Sequence, residues 1–174
     1  MTVEAIKSYK YYVDELIITE NGGHYSPQLM AQADIYIYSW QNDGFTKNVN
    51  RGWRIASGDY VAIVSNDTYL SEGDLKKLCI PGKVTSPSIV NQHIPFLAGP
   101  LWVTPKEVTK EYGYLMEEMR TYCSDSEYDN RIRHIFQKVP EVKIFHYMAQ
   151  TVTPAGENVP EQQQKDQEAY SKLK

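Results

Sequence analysis

The chain has 174 residues, a formal net charge of −4 and 41% hydrophobic residues. That is enough chain for one domain with a real core, and too apolar for a disordered segment. The mildly acidic balance offers no basic face for phosphates, so nucleic acid is not an expected partner.

No apolar run approaches the length of a transmembrane segment, and no signal peptide opens the chain. A soluble protein is expected, with any membrane contact peripheral. Cys79 and Cys123 are the only cysteines and form no zinc or redox motif. They read as two reduced core thiols, which places the protein in a reducing compartment such as the cytoplasm. Tyrosine is frequent, with 14 residues. Its rings suit a small core and its rim, or a groove for a carbohydrate or nucleotide.

Val3, Ile6, Tyr9 and Val13 recur at helical spacing and predict an opening helix. Leu16 to Thr19 predicts a strand that stops at Asn21-Gly22-Gly23. Gln28 to Ala33 predicts a short helix, and Asp34 to Tyr38 a second strand. Phe45, Val49, Trp53 and Ala56 share a helical face that ends at Gly58. Tyr60 to Val64 is apolar throughout, as in a strand covered on both faces. Glu72 to Leu78 predicts a helix, and Lys83 to Thr85 a strand limited by Pro87. Leu101 to Val103 predicts a strand, followed by a helix that Pro105 opens and Glu107 to Tyr112 continues. Tyr128, Ile132 and Ile135 mark another helix, and Val142 to Tyr147 and Gln150 to Val152 two late strands. From Pro160 to Lys174 a polar, glutamine-rich helix is expected to pack weakly or fray.

Strands alternating with helices imply an α/β sandwich with a mostly parallel central sheet and flanking helices. Ligands in such sheets bind beyond the carboxyl ends of the strands. Three places meet that rule: Glu20-Asn21, Trp40 to Gly44, and Asn66-Asp67. Each ends in acidic or amide residues, so one rim-borne pocket is expected.

The stretch from Asn42 to Thr68 reads NDGFTKNVNRGWRIASGDYVAIVSNDT. With Asn42, Gly44, Asn50, Gly52, Ala56, Gly58, Asp59, Tyr60, Asn66, Asp67 and Thr68 it resembles family 2 glycosyltransferases, which have the GT-A fold and use nucleotide sugars with inversion. Glu15 to Gly23 is similar to that family's strand ending in Asp-Asn-Gly-Ser. Phe96 to Val103 resembles the wall of its donor sugar, and Gly113 to Glu118 the approach to its catalytic loop. Ser124 to Arg131 resembles its Glu-Asp-x-Asp motif with a following arginine, with Ser124 in place of the leading Glu.

The resemblance implies a single reduced GT-A domain over residues 1–174, with 156–174 a polar helix or tail. It implies a nucleoside diphosphate sugar as donor and a hydroxyl as acceptor. Glu20 would contact the base, and Asn42, Asn50, Asn66 and Asp67 would line the nucleotide-sugar site. Asp67, the retained acid of the Asp-x-Asp motif, would hold a divalent cation, Mn²⁺ or Mg²⁺, against the diphosphate. Asp125 would be the catalytic base, Glu127 an acceptor or loop contact, and Arg131 the holder of a loop carboxylate. Simpler readings stand beside these: Asn66-Asp67-Thr68 suits a plain turn, and acids at 125 and 127 suit a helix start with Arg131 as an intrahelical partner. His146 is a weaker ligand candidate, since the family's late histidine falls near Thr153. His24, His93 and His134 read as structural or exposed.

The chain departs from the family in one large respect. It lacks the first strand, which normally lies centrally in the sheet. Unpaired neighbours of that strand invite pairing with a second copy, so a homo-oligomer is a possible state. The same gap supports an alternative function, a catalytically inert nucleotide-sugar-binding or assembly domain with the same fold. A sugar-nucleotide nucleotidyltransferase would bring an early glycine-rich basic loop, which the sequence lacks.

Overall fold

The computed structural model describes residues 2–23, 25–90, 92–97, 99–147 and 159–173. The chain opens on α1 (Thr2–Tyr9), extended by a 3-10 turn, and runs into β1 (Ile17–Asn21). The four-residue α2 (Pro27–Met30), capped by Ser26, leads to β2 (Ile35–Ser39). Then come α3 (Phe45–Ile55), β3 (Tyr60–Val64), β4 (Thr68–Glu72), β5 (Val84–Ile89) and β6 (Leu101–Pro105). The second half holds α4 (Lys106–Tyr112), α5 (Ser124–Ile132), β7 (Phe136–His146) and α6 (Val159–Ser171).

The α/β class holds, but the sheet is mixed. β1 and β2 form a parallel pair of their own, and the other five strands follow the order β3-β6-β5-β7-β4. Within the larger sheet only β5 and β7 run parallel. β3 and β4 are consecutive in sequence yet lie at opposite ends of that order. The sheet therefore curls, and the turn at 65–67 meets both β6 and β7: Ser65 N donates to Pro100 O at 2.8 Å and Tyr147 N to Asp67 O at 3.1 Å.

Local reasons explain where pattern reading fails. The helix expected from Glu72 to Leu78 is the end of β4 followed by a 3-10 turn, Leu75–Leu78. Tyr69 and Leu70 pair with Phe145 and Ile144, and Gly73 turns the chain at φ 93°, where an added Cβ would meet Glu141 O at 2.6 Å. Pro87 does not end β5. It pairs with Val139 at the point where the β5–β7 register shifts, an irregularity of the kind that tolerates proline within a sheet. The strand expected at Gln150 to Val152 lies outside the described residues, as do Thr153 and His24. Cys79 is exposed and Cys123 half-buried, so neither is a core thiol; both are free.

Two apolar clusters flank the strands. One joins Ala5, Ile6 and Tyr9 of α1 to Leu78, Val103, Val142 and Ile144, with Leu16, Ile18, Tyr60 and Val64 packed against it. In the other, the Trp53 ring meets Tyr128, Tyr114 and Trp102 edge-on at centroid distances of 5.5, 5.3 and 6.5 Å. This second cluster seats α5 against α3 through Tyr128 and Ile132, both fully buried.

The outer edges of β1 and β3 pair with no strand among the described residues. Ile35 N donates to Leu16 O and Gly22 N to Ser39 O, so the even-numbered backbone groups of β1 face β2. The groups of Ile17, Thr19 and Asn21 therefore point away. On β3 the Ser65–Pro100 and Asp59–Lys106 bonds leave Tyr60, Ala62 and Val64 on the outer side. The Asn48 side chain covers part of the first edge, with Nδ2 donating to Thr19 O at 3.0 Å. The described strands thus form a sheet in two parts, with α3 touching both β1 and β3.

Candidate active site

The ends of β1 and β2 are tied together by amides. Asn21 Nδ2 donates to Asn42 Oδ1 at 2.9 Å and to Gly44 O at 3.0 Å, and Asp43 N donates to Asn21 Oδ1 at 2.8 Å. Gly44 takes φ 88°, and an added Cβ would lie 2.3 Å from Arg120 Cγ. Arg120 also donates through Nη2 to Asn42 O, and its own carbonyl accepts from Thr46 N at 3.1 Å. The Asn42–Gly44 turn is therefore held against the loop that precedes α5.

Glu20, at the end of β1, accepts from the Tyr36 hydroxyl through Oε2. Alternation puts Tyr36, Tyr38 and Trp40 on one face of β2. Their rings form an edge-to-face series with Tyr25: 5.9 Å from Tyr25 to Tyr36 and to Tyr38, and 5.1 Å from Tyr38 to Trp40. Trp40 ends the series 85% exposed.

Asp67 is 4% exposed, and its Oδ1 lies 3.3 Å from His146 Nε2 at the end of β7. His146 Nδ1 is 3.2 Å from Gln92 Nε2. Gln92 and Asp67 thus flank the imidazole, one at each ring nitrogen. Gln92 also lines a cavity of about 370 Å³ with Ser88, Ile89, His93, Ile94, Pro95 and Lys138, and neither Asp67 nor His146 is part of that lining. A carboxylate oxygen is the kind of ligand that a hard divalent cation takes. Among the described residues no three His, Cys, Asp or Glu side chains gather into a metal cage, so the remaining ligands of such an ion would be diphosphate oxygens and water. Asn66 precedes Asp67 in the same turn, which is closed by Thr68 N donating to Ser65 O at 3.2 Å.

Asp125 lies in the first turn of α5, half-buried. Its Oδ1 accepts from Ser126 N at 2.8 Å and its Oδ2 from Gly99 N at 3.2 Å. Gly99 O in turn accepts from Ser65 Oγ at 3.1 Å. Asp125 and the Ser65–Asp67 turn are thus joined through a single residue. Burial pushes the Asp125 carboxyl above its ordinary value of 3.8, against bonds from Ser126 and Gly99 that lower it, and the nearby Asp129 adds to the rise. A folded-state pKa above the unfolded one means that the folded chain binds the proton more tightly. The resulting stability is complete below the unfolded pKa and is lost as pH rises through the folded one. The parent protein is therefore expected to lose melting temperature relative to Asp125→Asn as pH climbs through and above the ordinary aspartate range. Thermal unfolding of both across that range checks this, and parallel curves contradict it.

The other sequence candidates serve the scaffold in this conformation. Asn50 is 0% exposed; its Nδ2 donates to Leu115 O at 2.8 Å and Glu117 Oε1 at 3.0 Å, and its Oδ1 accepts from Leu115 N at 3.2 Å. It braces the 113–118 loop on α3 rather than facing the rim. Glu127 and Arg131 meet in a two-pronged pair at 2.6 and 2.7 Å, and Arg131 also donates to Tyr112 O and Tyr114 O. Three residues of this region have no motif to mark them. Arg120 locks Gly44, buried Asp129 accepts from Leu97 N at 3.0 Å, and buried Asp166 belongs to the C-terminal helix. Among the described residues no helix is long and apolar enough to cross a membrane.

Comparison with known proteins places this geometry. The structure superposes on the mannosyltransferase PcManGT from Pyrobaculum calidifontis, determined in complex with GDP-Man and Mn²⁺, with a TM-score of 0.66 and 16% identity over 89% of this chain and 53% of that one. It superposes on S. aureus TarS with a TM-score of 0.65 and 13% identity, over 83% of this chain and 34% of that one. For TarS residues 1–349 the TM-score is 0.63 at 13% identity, over 95% of this chain and 66% of that one. The chain thus spans about half the length of the mannosyltransferase and a third of TarS. At these identities the likeness shows the fold, which is GT-A. A search of curated proteins finds no match. The model of the glycosyl transferase family 2 matches residues 1–96, more than half of the chain, and the chain belongs to that family.

Proposed function

We propose that this domain transfers a sugar from a nucleoside diphosphate donor to an acceptor hydroxyl, with inversion at the anomeric carbon. The observation that carries the reading is the Gly99 bridge, which sets the candidate base, Asp125, beside the candidate diphosphate turn at 65–67. The acceptor oxygen attacks the anomeric carbon as Asp125 takes its proton. The bond from that carbon to the diphosphate oxygen breaks, and the nucleoside diphosphate leaves with the electron pair. A base with a raised pKa holds the proton it receives better than an exposed aspartate does.

Asp67 is the proposed protein ligand of a divalent cation, and His146 orients its carboxylate. When bound, such an ion neutralises the charge that builds on the leaving diphosphate. Glu20 and the neighbouring aromatic rings offer one acceptor and a stacking surface to the nucleobase. The PcManGT complex with GDP-Man and Mn²⁺ supports the donor class and the ion by likeness of fold. The test is a donor panel of GDP-mannose, UDP-glucose and UDP-N-acetylglucosamine with Mn²⁺, read by nucleoside diphosphate release and by the anomeric configuration of the product. Release with inverted product supports the reading; retained configuration or no release sinks it.

The sheet in two parts favours a second reading, an inert binding or assembly domain whose open edges suit a second copy of the chain. That domain would show a thermal shift with nucleoside diphosphates but release none from the sugars.

A further inference from the structure

α6 is polar along its length, yet Asp166 in its middle is 1% exposed. The basic partner a buried carboxylate usually takes is replaced by amide donors. Oδ1 accepts from Arg120 N at 2.9 Å and from Gln162 Nε2 at 2.8 Å. Oδ2 accepts from Thr121 N at 2.9 Å and Tyr122 N at 2.7 Å. Three successive backbone N–H groups thus converge on one anion, the arrangement called a nest.

The next residue, Cys123, takes φ 65° in the left-handed region and turns the chain into α5, whose second residue is Asp125. In the other direction, Arg120 O accepts from Thr46 N and the Arg120 side chain lies against Gly44. The segment that Asp166 grips therefore touches the Asn42–Gly44 turn at one end and delivers Asp125 at the other.

Energetics favour a geometric role. Taking a carboxylate out of water carries a desolvation penalty that its bonds must offset, and an apolar contact would dock a helix with less penalty. What four charge-assisted bonds add is direction.

We propose that Asp166 is a positioning residue of the transfer reaction, fixing the 120–122 backbone so that Asp125 and the Asn42–Gly44 turn stand in register across the site. This rests on the transferase reading above. Base catalysis is sensitive to such register, since a displacement of about 1 Å can cost about a hundredfold in rate.

The test compares the unsubstituted protein, Asp166→Asn and Tyr170→Phe. Tyr170 lies on the same helix and accepts from Asn130 Nδ2 at 2.5 Å, outside the nest. The readouts are kcat and KM for diphosphate release from GDP-mannose and UDP-glucose with Mn²⁺, and hydrogen exchange of amides 120–122. Asp166→Asn is expected to lower kcat by about tenfold to a hundredfold with little change in donor KM, and to speed exchange at 120–122. Tyr170→Phe is expected to keep kcat. A purely structural α6 would lower melting temperature in both variants and leave kcat alone, which overturns the proposal. If Asp166→Asn does not fold, Gln162→Leu removes the one side-chain donor to Oδ1 and is expected to lower kcat about threefold, a fraction of the loss that full displacement brings; unchanged kcat then overturns the proposal. If the unsubstituted protein releases no diphosphate from any donor of the panel above, the transferase reading fails and the positioning role falls with it. If it does and Asp166→Asn retains its kcat, the positioning role alone fails.

Discussion

Asp125→Asn is expected to lower turnover by roughly 10²–10⁴-fold, the contribution of one positioned base. Donor affinity should stay near that of the parent, because the lost interaction is used mainly in the transition state. The amide keeps the size of the carboxyl and one acceptor for Gly99 N or Ser126 N, so the α5 N-terminus should hold its place. Glu127→Gln is the matched control from the same turn. Its carboxylate is bound by Arg131 in two-pronged fashion, so neutralising it should weaken stability more than turnover. Steady-state kinetics with titration of nucleoside diphosphate binding separates the two effects. Should Asp125→Asn transfer sugar at the parent's rate, the acidic run is better understood as helix capping and the inert-domain reading moves to the front.

That prediction was accessible from sequence because the relevant signals are local. Gly44 and Gly58 bracket α3, the apolar face Phe45-Val49-Trp53 marks its buried side, and the polar residues at 20–21, 42–44 and 66–67 do fall at strand ends. Asp125 followed by Glu127 and Arg131 marks a helix start, and α5 begins at Ser124. What the pattern could not give is set by tertiary pairing. Thr68–Glu72 is a strand because β7 pairs with it, and no property of those five residues reveals the partner. Sheet direction is equally non-local, since it depends on which side of β5 the strands β6 and β7 take.

The amide and acidic residues show the same division. Asn50 stands in a motif, but its bonds go to Leu115 and Glu117, 65 and 67 residues away. Asp166 sits in a stretch with no apolar stripe, where pattern reading expects a weakly packed helix. Its burial comes from the N–H groups of a loop 44 to 46 residues earlier. A lone aspartate among glutamines carries no mark of that fate.

Removal of the metal is expected to weaken nucleoside diphosphate binding, and Asp67 is where the loss should be traceable. The diphosphate concentrates negative charge, and in the proposed site the turn at 65–67 would add the buried carboxylate of Asp67 to it. Without a cation those charges repel; with one they share a counter-charge. Binding of GDP and of UDP, measured calorimetrically with Mn²⁺, should therefore weaken by tenfold or more in EDTA, about 1.4 kcal/mol. Asp67→Asn should weaken binding similarly when Mn²⁺ is present. In EDTA the same substitution should cost nothing further, and it could gain affinity by removing a repulsive charge. This non-additivity distinguishes a shared ion from two unrelated losses. His146→Ala should fall between, because it removes only the group that orients Asp67, and such orienting partners are worth about 10–100-fold in metal affinity. Equal affinity with and without Mn²⁺ would mean that the diphosphate, if it binds, is held by protein donors alone. Asp67 and His146 would then be a structural pair that pins the β3–β4 turn to the end of β7.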